Sequence, residues 1–379
     1  MPDVLIHAGT LDCAEMRHEI PAAILDPFLY GEHDGAAFAL LSVLDEGSVR
    51  EVRPEVEIVD PLELGLMDLL EQGMDRDAAL TEIALRACER AGLRSAVVPR
   101  RFPLGIADRL RAGGIELAVD GAQFDGRRRV KAGAELEGVR RAARAAGAGM
   151  AAAAALLASA EPGGDGTLQA GGEPLTAERV QAEVRAAFEL AGAVGDEVLV
   201  APGPQGATGH DLGSGPIAAG VPVVVDLWPQ DRASRCWADM TRTFVAGEPA
   251  DDVVRWHNLC RDALARVLDA LAPGVTGREL WEVCCDVFEA AGEPTQRDPQ
   301  GRTPLRDGFF HSLGHGVGLE VHEAPGLGRS GEALVAGDVV AIEPGLYRHG
   351  YGGVRIEDLF LVTEDGYEAL TSFSLEMRP

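Results

Sequence analysis

Positive charge is scarce in this sequence. Its 379 residues include 34 lysine and arginine residues against 61 aspartate and glutamate residues, which gives a formal net charge of −27. Lys131 is the single lysine. A protein with this charge repels phosphate backbones and anionic lipid surfaces, so neither nucleic acid nor a membrane is an expected partner.

Several other sequence signatures are also missing. The six cysteines show no C-x-x-C spacing, which argues against a zinc knuckle or a disulfide framework. No stretch offers about twenty strongly apolar residues, and the alanine-rich segment 145–160 favours a closely packed helix. Residues 1–10 lack the basic and apolar regions of a signal peptide. We therefore expect a folded cytoplasmic protein with reduced thiols.

The sequence predicts two domains. In the first third, helical patterns at 78–91 and 104–112 alternate with strand-like runs at 95–99 and 115–120, which is typical of a small mixed sheet. The basic cluster RRRVK (127–131) then precedes a long helical pattern at 134–158. We place an N-terminal α/β domain at 1–126 and a C-terminal domain at 127–379, and we interpret the cluster as a solvated linker and helix start.

The C-terminal region contains an internal repeat. Each half has two helical patterns followed by a predicted β-hairpin, the hairpins covering 221–247 and 338–363. Each hairpin carries one acidic residue on each of its two strands. Glu343 follows Asp226 by 117 residues, and Glu357 follows Asp239 by 118. The four carboxylates therefore occupy matching positions in two equivalent units.

Four carboxylates in apolar strands are costly to bury unless a positive group neutralises them. Divalent metal ions do this well, and the nitrogen ligands available nearby are His210, His311, His315 and His322. Two other interpretations of the histidine segment are disfavoured. Its glycines argue against a helical zinc pair of His311 and His315, and its G-x-G-x-G spacing precedes no clear helix and lacks the lysine of a phosphate-binding loop.

Five sequence blocks carry a resemblance to a known family. VVVDLW, ADMTRTF, HSLGHGVGLEVHE, AIEPGLY and GGVRIEDLFLVT are similar in type and order to motifs of the pita-bread metallopeptidases, which include Xaa-Pro aminopeptidase, prolidase and methionine aminopeptidase. The resemblance covers roughly 127–370. It implies an α+β protein whose C-terminal pita-bread domain is a curved antiparallel sheet covered by helices, with a pseudo-two-fold axis. A smaller α/β domain, similar to ribonuclease H, precedes it.

The resemblance also implies a site with two divalent metal ions. Asp226 binds one ion, His315 and Glu343 bind the other, and Asp239 and Glu357 bridge both, with a hydroxide held between the ions as nucleophile. Glu343 also serves as the proton shuttle. The resemblance also implies that His210 and His322 contact the substrate and stabilise the tetrahedral intermediate. It places His311 in or beside the substrate pocket. Arg355 orients the carboxylates. Manganese is the expected metal, with cobalt and zinc as alternatives.

One spacing departs from the family pattern. Asp226 and Asp239 are 13 residues apart, about two more than usual, which makes Asp231 a competing ligand. Asp239 is favoured because TRTF follows it directly and because its distance to Glu357 matches the repeat.

The N-terminal domain favours proline specificity within the family, with roles in substrate access and dimerisation. We expect hydrolysis of the Xaa-Pro bond in dipeptides or short peptides by a homodimer. A dipeptidase needs a clamp for the substrate carboxylate, for which Arg302, Arg306 and Arg348 are the candidates. The alternatives are a non-catalytic peptide-binding or protein-binding module and a metal-free, creatinase-like amidinohydrolase.

Overall fold

The computed structural model describes residues 2–131, 133–297 and 304–379. The chain divides into two compact units, the first ending at Arg128 and the second spanning Arg129–Pro379. Among the described residues, no helix combines the length and the apolar character needed to cross a membrane.

The first unit is built on a six-stranded mixed sheet. Strands β1 to β3 pair antiparallel, whereas β4, β5 and β6 join the sheet in parallel, in the order β4-β3-β2-β1-β5-β6. Both faces are buried, since Val4 and Ile6 contribute to one core and Leu5 to the other, as the alternation of strand side chains requires. The predicted helices and strands of this region are confirmed. The elements are β1 (Val4–Ala8), α1 (Ala14–Glu19), β2 (Phe28–His33), β3 (Ala36–Leu40), α2 (Val43–Val52), β4 (Glu57–Val59), α3 (Leu66–Glu71), α4 (Arg76–Arg90), β5 (Ser95–Val98), α5 (Leu104–Ala112), β6 (Glu116–Val119) and α6 (Gly121–Arg129).

Among its described residues, the second unit contains four long helices and several antiparallel strand pairs, which include the two predicted hairpins. Its helices are α7 (Gly133–Ala158), α8 (Ala177–Leu190), α9 (Asp251–Ala270) and α10 (Gly277–Ala290). Its strands are β7 (Glu161–Pro162), β8 (Leu168–Ala170), β9 (Glu173–Pro174), β10 (Ala193–Val194), β11 (Leu199–Pro202), β12 (Val223–Leu227), β13 (Gln230–Asp231), β14 (Met240–Phe244), β15 (Gly314–Gly316), β16 (Glu323–Leu327), β17 (Val339–Ile342), β18 (Gly345–Arg348), β19 (Gly352–Arg355), β20 (Asp358–Thr363) and β21 (Gly366–Ala369).

The predicted repeat is present. Helices α7 and α8 precede the antiparallel pair β12–β14, and α9 and α10 precede the pair β17–β20. The alanine-rich α7 packs closely on α8: a side chain at Gly149 would lie 2.5 Å from the ring of Phe188. A capping box fixes the start of α10, where Thr276 and Glu279 satisfy each other's backbone N–H groups.

The sequence suggested that the basic cluster 127–131 is a solvated linker. The structure contradicts this interpretation. Arg127 forms ion pairs with two carboxylates of the first unit, and the side chain of Arg128 is 4% exposed. Arg129 donates two hydrogen bonds of 2.8 Å to the fully buried Asp338. Lys131 is buried in an ion pair of its own. The linker interpretation was wrong because the acidic partners of Arg127, Arg129 and Lys131 lie far away in the sequence.

A buried arginine joins the two hairpins. Arg242 on β14 donates hydrogen bonds of 2.8 Å to the carbonyls of Thr241 and Glu357, one from each hairpin. It also donates to both carboxylate oxygens of Asp358 at 2.9 Å, and to the carbonyls of residues 373–374 at 3.0 Å. Its guanidinium therefore holds the C-terminal segment and both halves of the repeat together.

We expect Arg242→Met to reduce the free energy of unfolding by about 3 to 5 kcal/mol, because it leaves the carboxylate of Asp358 buried without its cation. Urea unfolding measures the change. As the control, Arg140→Met removes a more exposed pair with Glu368 and costs at most about 1 kcal/mol. Equal losses in the two variants would contradict a special role for Arg242.

Candidate metal centre

The four predicted carboxylates lie at the ends of the two hairpins. Asp226 is on β12, Asp239 immediately precedes β14, Glu343 immediately follows β17, and Glu357 immediately precedes β20. Thr241 and Glu357 exchange backbone hydrogen bonds of 3.0 and 3.3 Å, which brings the hairpins side by side. The repeat seen in the sequence thus delivers carboxylates from both halves to one place.

Three of the predicted ligands converge on a common point. Asp239, His315 and Glu357 each offer one ligand atom, and these atoms lie within 4.8 Å of one another. His315 Nε2 is 3.7 Å from Asp239 Oδ2 and 3.9 Å from Glu343 Oε1, so Glu343 borders the same point.

Asp226 is attached to this cluster through its neighbours. Its Oδ1 accepts a hydrogen bond of 2.8 Å from Thr241 Oγ1, which also lies 2.6 Å from Glu357 Oε2. Its Oδ2 is paired with the guanidinium of Arg355. Because each carboxylate oxygen has two lone pairs, these contacts still leave Asp226 able to bind a cation.

The cluster fits a divalent cation. Asp239 Oδ1 is buried and has no hydrogen-bond partner among the described residues. Burial, together with repulsion from Glu357 and Asp226, raises the pKa of Asp239 well above its usual range. Burial likewise raises the pKa of Glu357 and of Glu343. A bound cation would remove this cost, and carboxylates with one imidazole form a donor set suited to manganese or zinc.

His315 is oriented for metal binding by its own backbone. Burial lowers its pKa, so its imidazole is neutral near pH 7. Nδ1 lies 3.2 Å from the carbonyl of Gly316, which can accept only if Nδ1 carries the proton. The lone pair of Nε2 is then left facing the carboxylates.

The other three histidines lie around the cluster. The ring of His322 contacts that of His315 edge to face, with centroids 4.1 Å apart. His311 Nδ1 is 3.9 Å from Glu343 Oε2, and its Nε2 is 3.1 Å from the hydroxyl of Tyr347. His210 is exposed. Burial raises the pKa of Glu343, and His311, Arg355 and, to a smaller extent, His210 act in the opposite direction.

Two polar residues of the site were missed by the sequence analysis. Thr241 lies opposite Asp226 in the β12–β14 ladder, so its hydroxyl meets the carboxylate. The Tyr347 hydroxyl lies 3.3 Å from Arg355 Nη1 as well as beside His311. Thr241 could have been found from strand alternation within TRTF, whereas the position of Tyr347 depends on how β18 pairs with β19.

The competing ligand Asp231 lies outside the cluster. It sits on β13, where Arg141 donates two hydrogen bonds to it at 2.9 and 3.0 Å and Ser234 Oγ donates one at 2.6 Å. Through these contacts Asp231 stabilises the connection between β12 and β14.

The suggested arginine clamps have different surroundings. Arg302 is outside the described residues, and Arg306 is exposed. Arg348 donates a hydrogen bond of 3.0 Å to Asp252, and its guanidinium lies 4.9 Å from the ring centre of Trp256. The guanidinium of Arg348 is thus engaged on the surface of α9.

Known proteins resemble this chain in sequence and fold. The Xaa-Pro dipeptidase of Pyrococcus furiosus is 35% identical over 183 residues, 48% of this chain and 49% of that protein. The chain thus spans about half the length of the curated relatives it matches. A crystal structure titled dipeptidase PepE from Mycobacterium ulcerans is 25% identical, covers 100% of this chain and 93% of its own, and has a TM-score of 0.76.

The prolidase structure from Pyrococcus furiosus shows the fold at 23% identity, with a TM-score of 0.75 over 99% of this chain and 97% of its own. This likeness confirms the predicted α+β architecture with its pita-bread domain. The model of metallopeptidase family M24 matches residues 137–364, which include all five predicted metal ligands. This chain therefore belongs to metallopeptidase family M24.

Proposed function

We propose that this protein hydrolyses the Xaa-Pro peptide bond, releasing the N-terminal residue from dipeptides or short peptides with proline second. The observation that carries the proposal is the buried cluster of Asp239, His315 and Glu357, bordered by Asp226 and Glu343. The similarity to proteins named Xaa-Pro dipeptidase supports this choice of substrate.

In this proposal Asp226 would hold one divalent ion, His315 and Glu343 would hold a second, and Asp239 and Glu357 would contribute to both. Manganese is the proposed metal. When bound, the two ions supply an activated water nucleophile and polarise the scissile carbonyl.

The remaining chemistry belongs to side chains of the chain itself. Glu343 accepts the proton of the nucleophile and delivers it to the leaving amine. His322 and His210 contact the substrate and donate hydrogen bonds to the developing oxyanion. Arg355, paired with Asp226 and hydrogen-bonded to Thr241 at 3.1 Å, keeps the carboxylates in place.

The alternatives fit the cluster less well. A non-catalytic binding module or a metal-free amidinohydrolase would keep Asp239 and Glu357 buried without a metal ion to neutralise them, and Asp239 Oδ1 has no hydrogen-bond partner among the described residues. We further propose that the enzyme is a cytoplasmic homodimer and that the N-terminal unit serves substrate access and dimerisation. These last properties follow from the resemblance to the family.

The activity is tested with metal-stripped protein and three peptides: Ala-Pro, Ala-Pro-Ala and Ala-Ala-Ala. We expect manganese-dependent release of alanine from the proline peptides alone, because the proposed reaction needs metal to activate water and is specific for proline in the second position. The ratio of dipeptide to tripeptide turnover then distinguishes dipeptidase from aminopeptidase.

Cleavage of Ala-Ala-Ala at the rate of Ala-Pro-Ala would contradict proline specificity. Urea release from creatine without metal would favour the amidinohydrolase. Absence of any hydrolysis with manganese, cobalt or zinc would favour the binding module.

A matched pair of variants tests the choice of Asp239 over Asp231. Asp239→Asn removes a charged ligand, so we expect the protein to bind less metal. We also expect kcat/KM to fall by more than roughly 100-fold, which is the largest loss usual when only a hydrogen-bond partner of a metal ligand is removed. The same variant should lose the rise in Tm that manganese gives the wild type, because a ligand stabilises only the fold that binds it.

Asp231→Asn is the control. It removes the same charge from the same connection between β12 and β14, where the partners are Arg141 and Ser234. We expect it to keep metal content, activity and the manganese-induced rise in Tm. Metal loss in Asp231→Asn with full metal in Asp239→Asn would reverse the assignment.

A further inference from the structure

The single lysine of the chain forms a buried ion pair. The side chains of Lys131 and Glu323 are 2% and 3% exposed, and Lys131 Nζ donates to Glu323 Oε1. The backbone of Lys131 is anchored as well, since its N–H donates to the carbonyl of Gly337 at 3.4 Å. A buried charge of either sign depends on its partner, so neither side chain can change without affecting the other.

Glu323 holds the segment that carries His322. This segment, residues 317–322, connects β15 to β16, and Glu323 is the first residue of β16. Glu323 Oε2 accepts a hydrogen bond of 3.2 Å from the backbone N–H of Glu320, and Gly318 N–H donates to the Glu320 carbonyl at 3.0 Å. The turn that presents His322 is therefore fastened to the carboxylate of Glu323.

Gly318 provides the space for this ion pair. A Cβ at this position would lie 2.5 Å from Glu323 Oε1 and 2.7 Å from Lys131 Cε, closer than real Cβ contacts. The last glycine of the G-x-G-x-G spacing thus has a packing reason unrelated to phosphate. The carbonyl of Gly318 also accepts a hydrogen bond of 2.8 Å from Trp237 N–H, two residues before Asp239.

We propose that Lys131 is a positioning residue for His322. By neutralising Glu323 it lets that carboxylate stay buried and hold the turn, which keeps the His322 ring against His315. The inference rests on the proposed function, in which His322 contacts the substrate. The five proposed metal ligands lie on or beside β12, β14, β15, β17 and β20, and none of them lies within residues 317–322, so we expect the metal ions to be retained when Lys131 is replaced.

The test is Lys131→Met, which keeps the length of the side chain and removes its charge. We expect kcat for Ala-Pro to fall by roughly 10- to 100-fold with manganese stoichiometry unchanged, because the turn moves and the ligands do not. Arg129→Met is the control, since it removes the neighbouring buried pair with Asp338. It should lose stability comparably but keep kcat near the wild-type value.

Two further variants separate positioning from general destabilisation. Lys131→Arg retains the charge and should recover most of the lost kcat. Gly318→Ala forces its Cβ into the ion pair and should reproduce the loss. The double variant Lys131→Met with Gly318→Ala should lose little more kcat than either single variant, because both changes break the same contact.

Wild-type kcat in Lys131→Met, a matching loss in Arg129→Met, or loss of metal together with activity would each overturn the inference. If the wild type hydrolyses no peptide, the proposed function has failed. A crystal structure of Lys131→Met then decides the inference separately: a displaced His322 ring supports it, and an unmoved ring overturns it.

Discussion

The rest of the structure depends on the burial of several carboxylates close together. Asp226, Asp239 and Glu357 are each less than 9% exposed, and Glu343 borders the same point. Burial, together with repulsion between the carboxylates, raises the pKa of Asp239, Glu343 and Glu357. A bound cation would offset this cost, and among the described residues Asp239 Oδ1 has no hydrogen-bond partner.

Arginines hold this repulsive group in a fixed geometry. Arg242 clamps the backbones of the two hairpins, and Arg355 pairs with Asp226 while donating to Thr241 at 3.1 Å. A planar guanidinium can satisfy several acceptors at once and stays charged when buried. The two arginines lie on paired hairpins, so stability and site geometry share the same contacts.

His315 and His322 are held by a different set of contacts. His315 lies on β15, paired with β17 on one side and β16 on the other, while His322 lies in the turn between β15 and β16. Glu323 fastens that turn, and the cation opposite it comes from residue 131, far away in the sequence. The turn that carries His322 therefore has an anchor of its own, the buried pair of Glu323 and Lys131, in addition to the strand pairing that holds His315 beside the carboxylates.

The sequence by itself determined the helices, the two-fold repeat and the set of acidic residues, because hydrophobic periodicity and equal spacing are local properties that a linear pattern preserves. It also favoured Asp239 over Asp231. Only the tertiary structure decided that Arg127 and Arg129 are partly buried and Lys131 is buried in ion pairs, that Thr241 meets Asp226, and that Gly318 makes room for Lys131. The partners of these arginines and of Lys131 are about 100 to 200 residues away, and charge alone does not specify which carboxylate a cation will meet once the chain has folded.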